Sequence, residues 1–483
     1  MRRIYFLGLL IALLTASCTA TKQEESQDDT ISKGKPNIIF IMADDMGYGD
    51  LGCYGQEIIQ TPSIDKMASE GMKFTQHYAG SPVCAPSRAV LMTGLHPGHA
   101  FVRGNKQAEP YGQVALPDQE VTVAEMMKKA GYATALFGKW GLGVEKTEGE
   151  PTNQGFDHYL GYLDQVLAHN YYPEYLHRNG ERVYLNNEVK YLDSTQWHKG
   201  LGSYSTKQVD YTHDIFTREA LRYIEENKDT SFFLYLPYTI PHNNGEAPLG
   251  ERQEVPDFGI YADKDWDQES KGYAAMISRL DGDVGKIMEK LNSLGIAENT
   301  LIIFTSDNGP MRADQHTFTK RFNSNGPLKG FKRDLYEGGV RIPMIAWWPG
   351  TIASNTTSDH ISAFWDFLPA ACDVAGIAPP ADVDGISYLP ELTGKDQKEH
   401  EYLYWEFPEN GYQVAVRKGK WKAIKRNMQE NPDASIELYN LSEDLGEENN
   451  IADQHPEIIE EMKAIMEKAR TPSEHFPMPG KES

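Results

Sequence analysis

Four cysteines in 483 residues are too few for a dense disulfide framework, so the fold must rest on a hydrophobic core. Positive charge is also scarce. Forty-seven Lys and Arg stand against 70 Asp and Glu, a formal net charge of −23, and no basic tract rises above that background. This excludes the electrostatic footprint of a nucleic-acid partner. Long apolar runs are missing as well: residues 4–14 form a stretch of 11, too short to span a bilayer, and there is no second one. No internal repeat is visible. What remains, 40% apolar and 24% charged, is ordinary globular composition, long enough for a large core with a smaller appendage.

The short apolar run follows Arg2 and Arg3 and gives way to the small residues Thr15, Ala16 and Ser17, the order of an export signal. Leu14-Thr15-Ala16-Ser17-Cys18 resembles a bacterial lipobox, in which the Cys is lipidated and becomes the mature N-terminus. An ordinary signal peptide cut nearby is the alternative. Residues 1–18 are read as a lipoprotein signal peptide. The exported chain is then anchored through Cys18 to a membrane, in the bacterial periplasm or at the outer-membrane surface. Removing residues 1–17 takes away two arginines, so −23 becomes −25. Residues 19–35 are polar and acidic (Glu24, Glu25, Asp28, Asp29) and read as a disordered tether.

Beyond the tether, near-continuous apolar runs alternate with amphipathic ones. Residues 36–43 read as a strand buried on both faces, ending at Asp44-Asp45. Adjacent acids at a strand's C-terminal end lie where open α/β sheets bind ligands, and a cation between them relieves their repulsion. Thr61-Pro62-Ser63 and the capping-box spacing Thr122 to Glu125 open helices, closed at Gly71 and Gly131. Strands are expected at 132–137, 232–238, 300–305 and 344–348, and helices at 211–227 and 272–294. Residues 144–210 show weak periodicity, and no element is assigned there; Gln165, His169, Tyr171 and Tyr172 are of the types that line carbohydrate pockets and are equally common in ordinary long loops. The pattern implies an α/β fold: a large, mainly parallel mixed sheet flanked by helices, spanning 36–390. Residues 391–483 form a smaller C-terminal α/β subdomain with an antiparallel sheet, its strands near 402–405, 413–416 and 421–424, and a last helix at 456–470.

One stretch organises the rest: Cys84-Ala85-Pro86-Ser87-Arg88, followed by Ala89-Val90-Leu91-Met92-Thr93-Gly94. A helix starting at Pro86 or Ser87 would put residue 84 just before its N-terminus, where an anion is favoured. The stretch resembles the signature of the type I, formylglycine-dependent sulfatases of the alkaline phosphatase superfamily, nearest their bacterial arylsulfatase and N-acetylgalactosamine-6-sulfatase group. The resemblance covers nearly all of residues 36–470. It implies an alkaline-phosphatase-like fold and hydrolysis of sulfate esters. It also implies that a formylglycine-generating enzyme oxidises Cys84 to Cα-formylglycine. A hydrated aldehyde carries two hydroxyls on one carbon, so one can attack the ester and the other can later expel sulfate.

The resemblance also assigns roles. Asp44, Asp45, Asp307 and Asn308, with one oxygen of residue 84, would hold a divalent cation. An all-oxygen shell suits Ca²⁺, with Mg²⁺ open, and Asn308 in place of a His argues against zinc. Arg88 would steady the hydrate, and Lys139 and Lys332 would meet the sulfate. His242, with a neutral-range pKa, would protonate the leaving alcohol. Gly141 departs from the family pattern Gly-Lys-Trp-His, which leaves the base for sulfate expulsion unassigned. His169 is the candidate to replace it, or to bind sugar. Arg103 and Asn105 are expected to read the sugar. Cys53 and Cys372 remain, paired or as two buried free thiols, the latter slightly preferred. The expected substrate is the terminal residue of a sulfated glycan. A phosphonate or phosphate-ester hydrolase of the same superfamily is the alternative. A catalytically inert glycan-binding lipoprotein would not need to keep Cys84, Arg88, Lys139 and Lys332.

Overall fold

The computed structural model describes residue 1 and residues 34–106, 113–193 and 200–482. The expected export signal, Cys18 and nearly all of the tether lie outside the described residues.

Strand Asn37–Asp44 is buried along its whole length because it runs through the middle of an eleven-stranded sheet. Its side chains alternate between two cores: Ile38, Phe40 and Met42 enter one, Ile39, Ile41 and Ala43 the other. That two-sided burial is why its sequence is apolar without alternation. Thr300–Ser306 and Phe232–Pro241 flank it, both parallel, and Ala133–Lys139 lies parallel beyond Phe232–Pro241. Arg341–Trp347 is antiparallel to Thr300–Ser306 and carries Met72–Tyr78 outside it. Helices Cys84–Thr93, Val123–Lys129 and Phe367–Ala375 cover one face; Pro62–Ser69, Thr212–Glu226 and Gln268–Ser293 cover the other. The mainly parallel α/β reading therefore holds.

Residues 144–210, where the sequence pattern assigned no element, hold five short strands among the described residues. His158–Tyr162 pairs parallel to Ala133–Lys139, and Tyr175–Arg178 and Glu181–Tyr184 extend the sheet antiparallel. Glu188–Tyr191 and Ser203–Lys207 make a separate hairpin. Each of these strands has only four or five residues, too few for a period of two to declare itself.

Helix ends follow local chemistry. Thr122 and Glu125 form the expected capping box. Thr61 does not cap its helix, because its hydroxyl accepts the Gly52 N–H. Asp281 of the long helix instead accepts the Ser63 and Ile64 N–H groups, at 3.2 and 2.7 Å.

Gly34–Ser483 forms one compact unit. Within it, Leu403–Phe407, Gln413–Lys418, Trp421–Lys425 and Ile436–Asn440 make a four-stranded antiparallel sheet, backed by helix Pro456–Lys468. Trp405, Phe407 and Ile424 of that sheet join the same core as Phe40. A fully buried ion network reinforces the contact: Lys422 meets Glu337 at 2.7 Å and Glu447 at 3.3 Å. Glu447 also accepts the Glu337 N–H at 2.7 Å. Cys53 is half-buried and Cys372 buried, both as free thiols.

Candidate active site

The parallel strands deliver their C-terminal ends to one edge. Ala43 pairs with Ser306, and the Asp307 N–H continues the ladder by donating to the Ala43 carbonyl at 3.0 Å. Asp44 pairs with Pro241, so His242 follows at the same level. Lys139 ends the next strand. Asp44, Asp45, Asp307, Asn308, His242 and Lys139 are therefore brought together by sheet register alone, as expected for a doubly wound fold.

Residue 84 is supplied from across this edge. The helix begins at Cys84 itself, with Val83 as the extended cap residue, two or three positions earlier than the sequence suggested. The Ala85 N–H is held by Asn105 Oδ1 at 3.2 Å. Cys84 Sγ lies 3.4 Å from Asp44 Oδ1 and 3.8 Å from Lys332 Nζ. Lys332 arrives on a loop whose backbone is tied down: its own N–H donates to Pro310 O, and that of Arg333 to Pro82 O, at 2.9 and 3.0 Å.

Charge is interleaved. Lys139 Nζ meets Asp44 Oδ2 at 2.7 Å. Arg88 bridges Asp44 and Asp307 at 3.4 and 2.9 Å, and donates to the Lys139 carbonyl. Lys332 Nζ meets Asp45 Oδ2 at 2.8 Å. Burial would raise the Asp44 carboxyl, but the Lys139 and Arg88 cations against it outweigh that and hold Asp44 well below the carboxylate range. Asp307 goes the other way: burial, with Asp44 beside it, pushes it up to about 7. Asn308 donates through Nδ2 to Asp45 at 2.7 Å, while its buried Oδ1 has no hydrogen-bond partner.

Three carboxylates face three cations here, yet Asp307 is still driven toward protonation by burial and the Asn308 amide oxygen is left without a partner. These oxygens fit a hard divalent cation. Asp44, Asp45, Cys84 and His242 lie close enough together to share one.

His242 departs from expectation. Burial, then Lys332 and His169, push its pKa well below the ordinary value, so the neutral-range titration expected for it is corrected. Nδ1 lies 2.6 Å from the Asn243 carbonyl and Nε2 lies 3.0 Å from Lys332 Nζ. That pattern assigns the proton to Nδ1 and makes Nε2 the acceptor from the Lys332 ammonium.

Above this floor opens a pocket of about 600 Å³. His169 lines it, stacked on His242 with ring centroids 4.4 Å apart and 13° between planes, its Nδ1 3.0 Å from Glu246. Gly141 has φ +79, and a Cβ there would sit 3.0 Å from the Gln165 side chain. Gln165 thus fills the space a side chain at 141 would need, and the left-handed backbone favours Gly.

Asn105 lines the pocket, but Arg103 does not, which corrects the sugar-reading role expected for it. Arg103 is buried and spent on the C-terminal region, bonded to Glu406 at 2.9 Å and to Thr471. Glu406 is fully buried and takes Arg103 together with Arg470, at 2.9 and 2.8 Å, so the Arg103 guanidinium is held in the interior. Gln165, Glu246, Arg252 and Glu409 also line the pocket, and sequence reasoning assigned them no site role there beyond the type of Gln165. For Glu246 and Arg252 the available signal was the polar loop following Pro241-His242.

Comparison with known proteins agrees with this geometry. The Sulfatase family profile matches residues 36–377. The chain belongs to the sulfatase family. A second profile, N-sulphoglucosamine sulphohydrolase, C-terminal, matches residues 330–472 of this sulfatase. The N-acetylgalactosamine-6-O-sulfatase of Bacteroides thetaiotaomicron is 32% identical, over 95% of this chain and 97% of its own. Human arylsulfatase A is 33% identical, over 89% of this chain and 87% of its own. Among solved structures, Ps i-CgsB in complex with k-i-k-neocarrahexaose has a TM-score of 0.74 at 28% identity, covering 92% of this chain and 94% of its own.

Proposed function

We propose that this sulfatase removes sulfate from the terminal residue of a sulfated glycan, using a formylglycine made from Cys84. The observation that carries the reading is the convergence of Cys84, Arg88, Lys139, His242 and Lys332 on three carboxylates beneath one pocket. The relatives' names supply the first probe, N-acetylgalactosamine 6-sulfate. A chain carrying −23 repels a long polyanion at a distance, which favours a pocket for a chain end over a groove for its middle.

Asp44, Asp45, Asp307 and Asn308 would hold the cation, Ca²⁺ before Mg²⁺. When bound, it supplies charge to polarise the sulfate oxygens. The formylglycine-generating enzyme is the maturation partner. Lys139 and Lys332 face the position of residue 84 and stabilise charge on the non-bridging oxygens of the ester. Arg88, locked between Asp44 and Asp307, fixes the first turn of the helix that presents residue 84. The proton for the leaving alcohol comes from the Lys332–His242 pair, since Lys332 carries it in this arrangement.

His169 is the base in place of a His at 141. Glu246 against Nδ1 sets the tautomer that leaves Nε2 with a lone pair. His169→Ala should lower kcat by about 10²–10⁴-fold. A raised KM at unchanged kcat would instead assign it to sugar binding.

The deciding assay compares sulfate and phosphate release from a pair of matched aryl esters, then sulfate release from a panel of sulfated mono- and oligosaccharides. Phosphate released faster than sulfate would transfer the protein to the phosphate-ester branch of the superfamily; release of neither would make it a glycan-binding protein. Anchoring through Cys18 outside the cytoplasm belongs to the same proposal, motivated by the lipobox. Cys18→Ala should move the protein from the membrane to the soluble fraction, and unchanged partitioning would count against lipidation.

A further inference from the structure

Three arginines line the pocket, and two of them are already spent. Arg312 forks onto Asp314, at 3.1 and 3.3 Å, with Asp334 at 3.7 Å. Arg333 meets Glu409 at 3.2 Å. Arg252 differs: among the described residues it forms no ion pair. Its side chain makes one hydrogen bond to the protein, from Nε to the Ala247 carbonyl at 3.3 Å. Its backbone carbonyl accepts the Asn244 N–H at 2.8 Å. These two contacts close the 244–252 loop on itself and pin the half-buried guanidinium by one edge. Among the described residues, Nη1 and Nη2 keep four N–H donors without a protein acceptor.

Balancing Glu246 does not explain this. Burial raises the Glu246 carboxyl, and His169, bonded to it at 3.0 Å, is the main group that holds it below its ordinary value; Arg252 adds to that at longer range and makes no bond. A free guanidinium fork in the wall of a pocket is a bidentate reader of an oxyanion. The floor of the same pocket, lined by Cys84, His242 and Lys332, is where the proposed reaction puts the scissile sulfate.

We propose that Arg252 binds a second anionic group of the substrate, a carboxylate or another sulfate beside the ester being cleaved, and so selects polyanionic glycans over neutral ones. The inference rests on the sulfatase reading above. It also answers the chain's charge: with −23 overall, a polyanionic end needs a local cation to be retained once it arrives.

The test starts from the sulfated sugar that ranks first in the panel. That ester is made in three forms: with a neutral neighbour, with a neighbouring uronate, and with a second sulfate. Sulfate release is measured for the wild type, Arg252→Met and Arg252→Lys. The wild type should prefer one charged form over the neutral one by about 10- to 100-fold in kcat/KM. Arg252→Met should erase that preference through KM. Arg252→Lys, which keeps the charge and loses the fork, should fall between. The charged form that loses most identifies the group read. A wild type without preference, a preference unchanged in Arg252→Met, or an equal loss on all three forms would overturn the assignment. Absence of sulfate release by the wild type from the whole panel would overturn the sulfatase reading itself, with Arg252 falling as its consequence.

Discussion

Cys84→Ser, with its Ser unmodified, should lose multiple-turnover sulfate release by about 10⁴-fold or more, the scale of removing a nucleophile from an otherwise intact site. The geometry explains the size. Residue 84 touches both Asp44 and Lys332 at the pocket floor, so an oxygen or sulfur there is already in place to react. What Ser lacks is the second hydroxyll on the same carbon, without which the sulfate ester formed in a first turnover has no route to release. An unmodified Cys is no better. Burial, with Asp44 adjacent, pushes its thiol up to about 12, so the thiolate is scarce at neutral pH. Mass spectrometry of active protein should show the Cys-to-aldehyde change at position 84. Full turnover by the Ser variant would sink the formylglycine requirement.

The parts of this site that were legible in the sequence are those fixed by short-range rules. Asp44-Asp45 and Asp307-Asn308 each follow an apolar run, and register in a parallel sheet then places them side by side without further information. Cys84 and Arg88 are four apart on one helix and share a face. The misses depend on contacts that no local pattern encodes. Arg103 was expected at the sugar and instead found Glu406, more than three hundred residues away. Gly141 looked like a missing catalytic group; Gln165, from a stretch of weak periodicity, occupies the space. The His242 proton was misjudged because its acidity is set by burial and by Lys332, ninety residues downstream. Arg252 carries no motif at all. Its significance appears only when Arg312 and Arg333 are seen to be paired. The strands between 158 and 184 were lost for a different reason, being shorter than the period analysis can resolve.

Stripping divalent cations should abolish activity, and Ca²⁺ should restore it where Zn²⁺ does not. The argument is electrostatic. Asp44, Asp45 and Asp307 converge in a fully buried site, and Arg88 and Lys139 serve Asp44 and Asp307 while Lys332 serves Asp45. These pairings leave Asp307 close to protonation at neutral pH, driven there by burial and by Asp44. A hard cation would remove that penalty and give the buried Asn308 Oδ1 the partner it otherwise lacks. The same linkage predicts stability: ligand at 100 times its Kd adds about 2.7 kcal/mol to the folded state. The melting temperature should therefore rise with Ca²⁺, and the rise should shrink in Asp307→Asn, which removes an anionic ligand while preserving shape. Stoichiometric zinc in the purified enzyme, with activity recovered by zinc alone, would refute the oxygen-ligated assignment. A chelated enzyme with full activity would show that Lys139, Lys332 and Arg88 suffice for the sulfate without any ion.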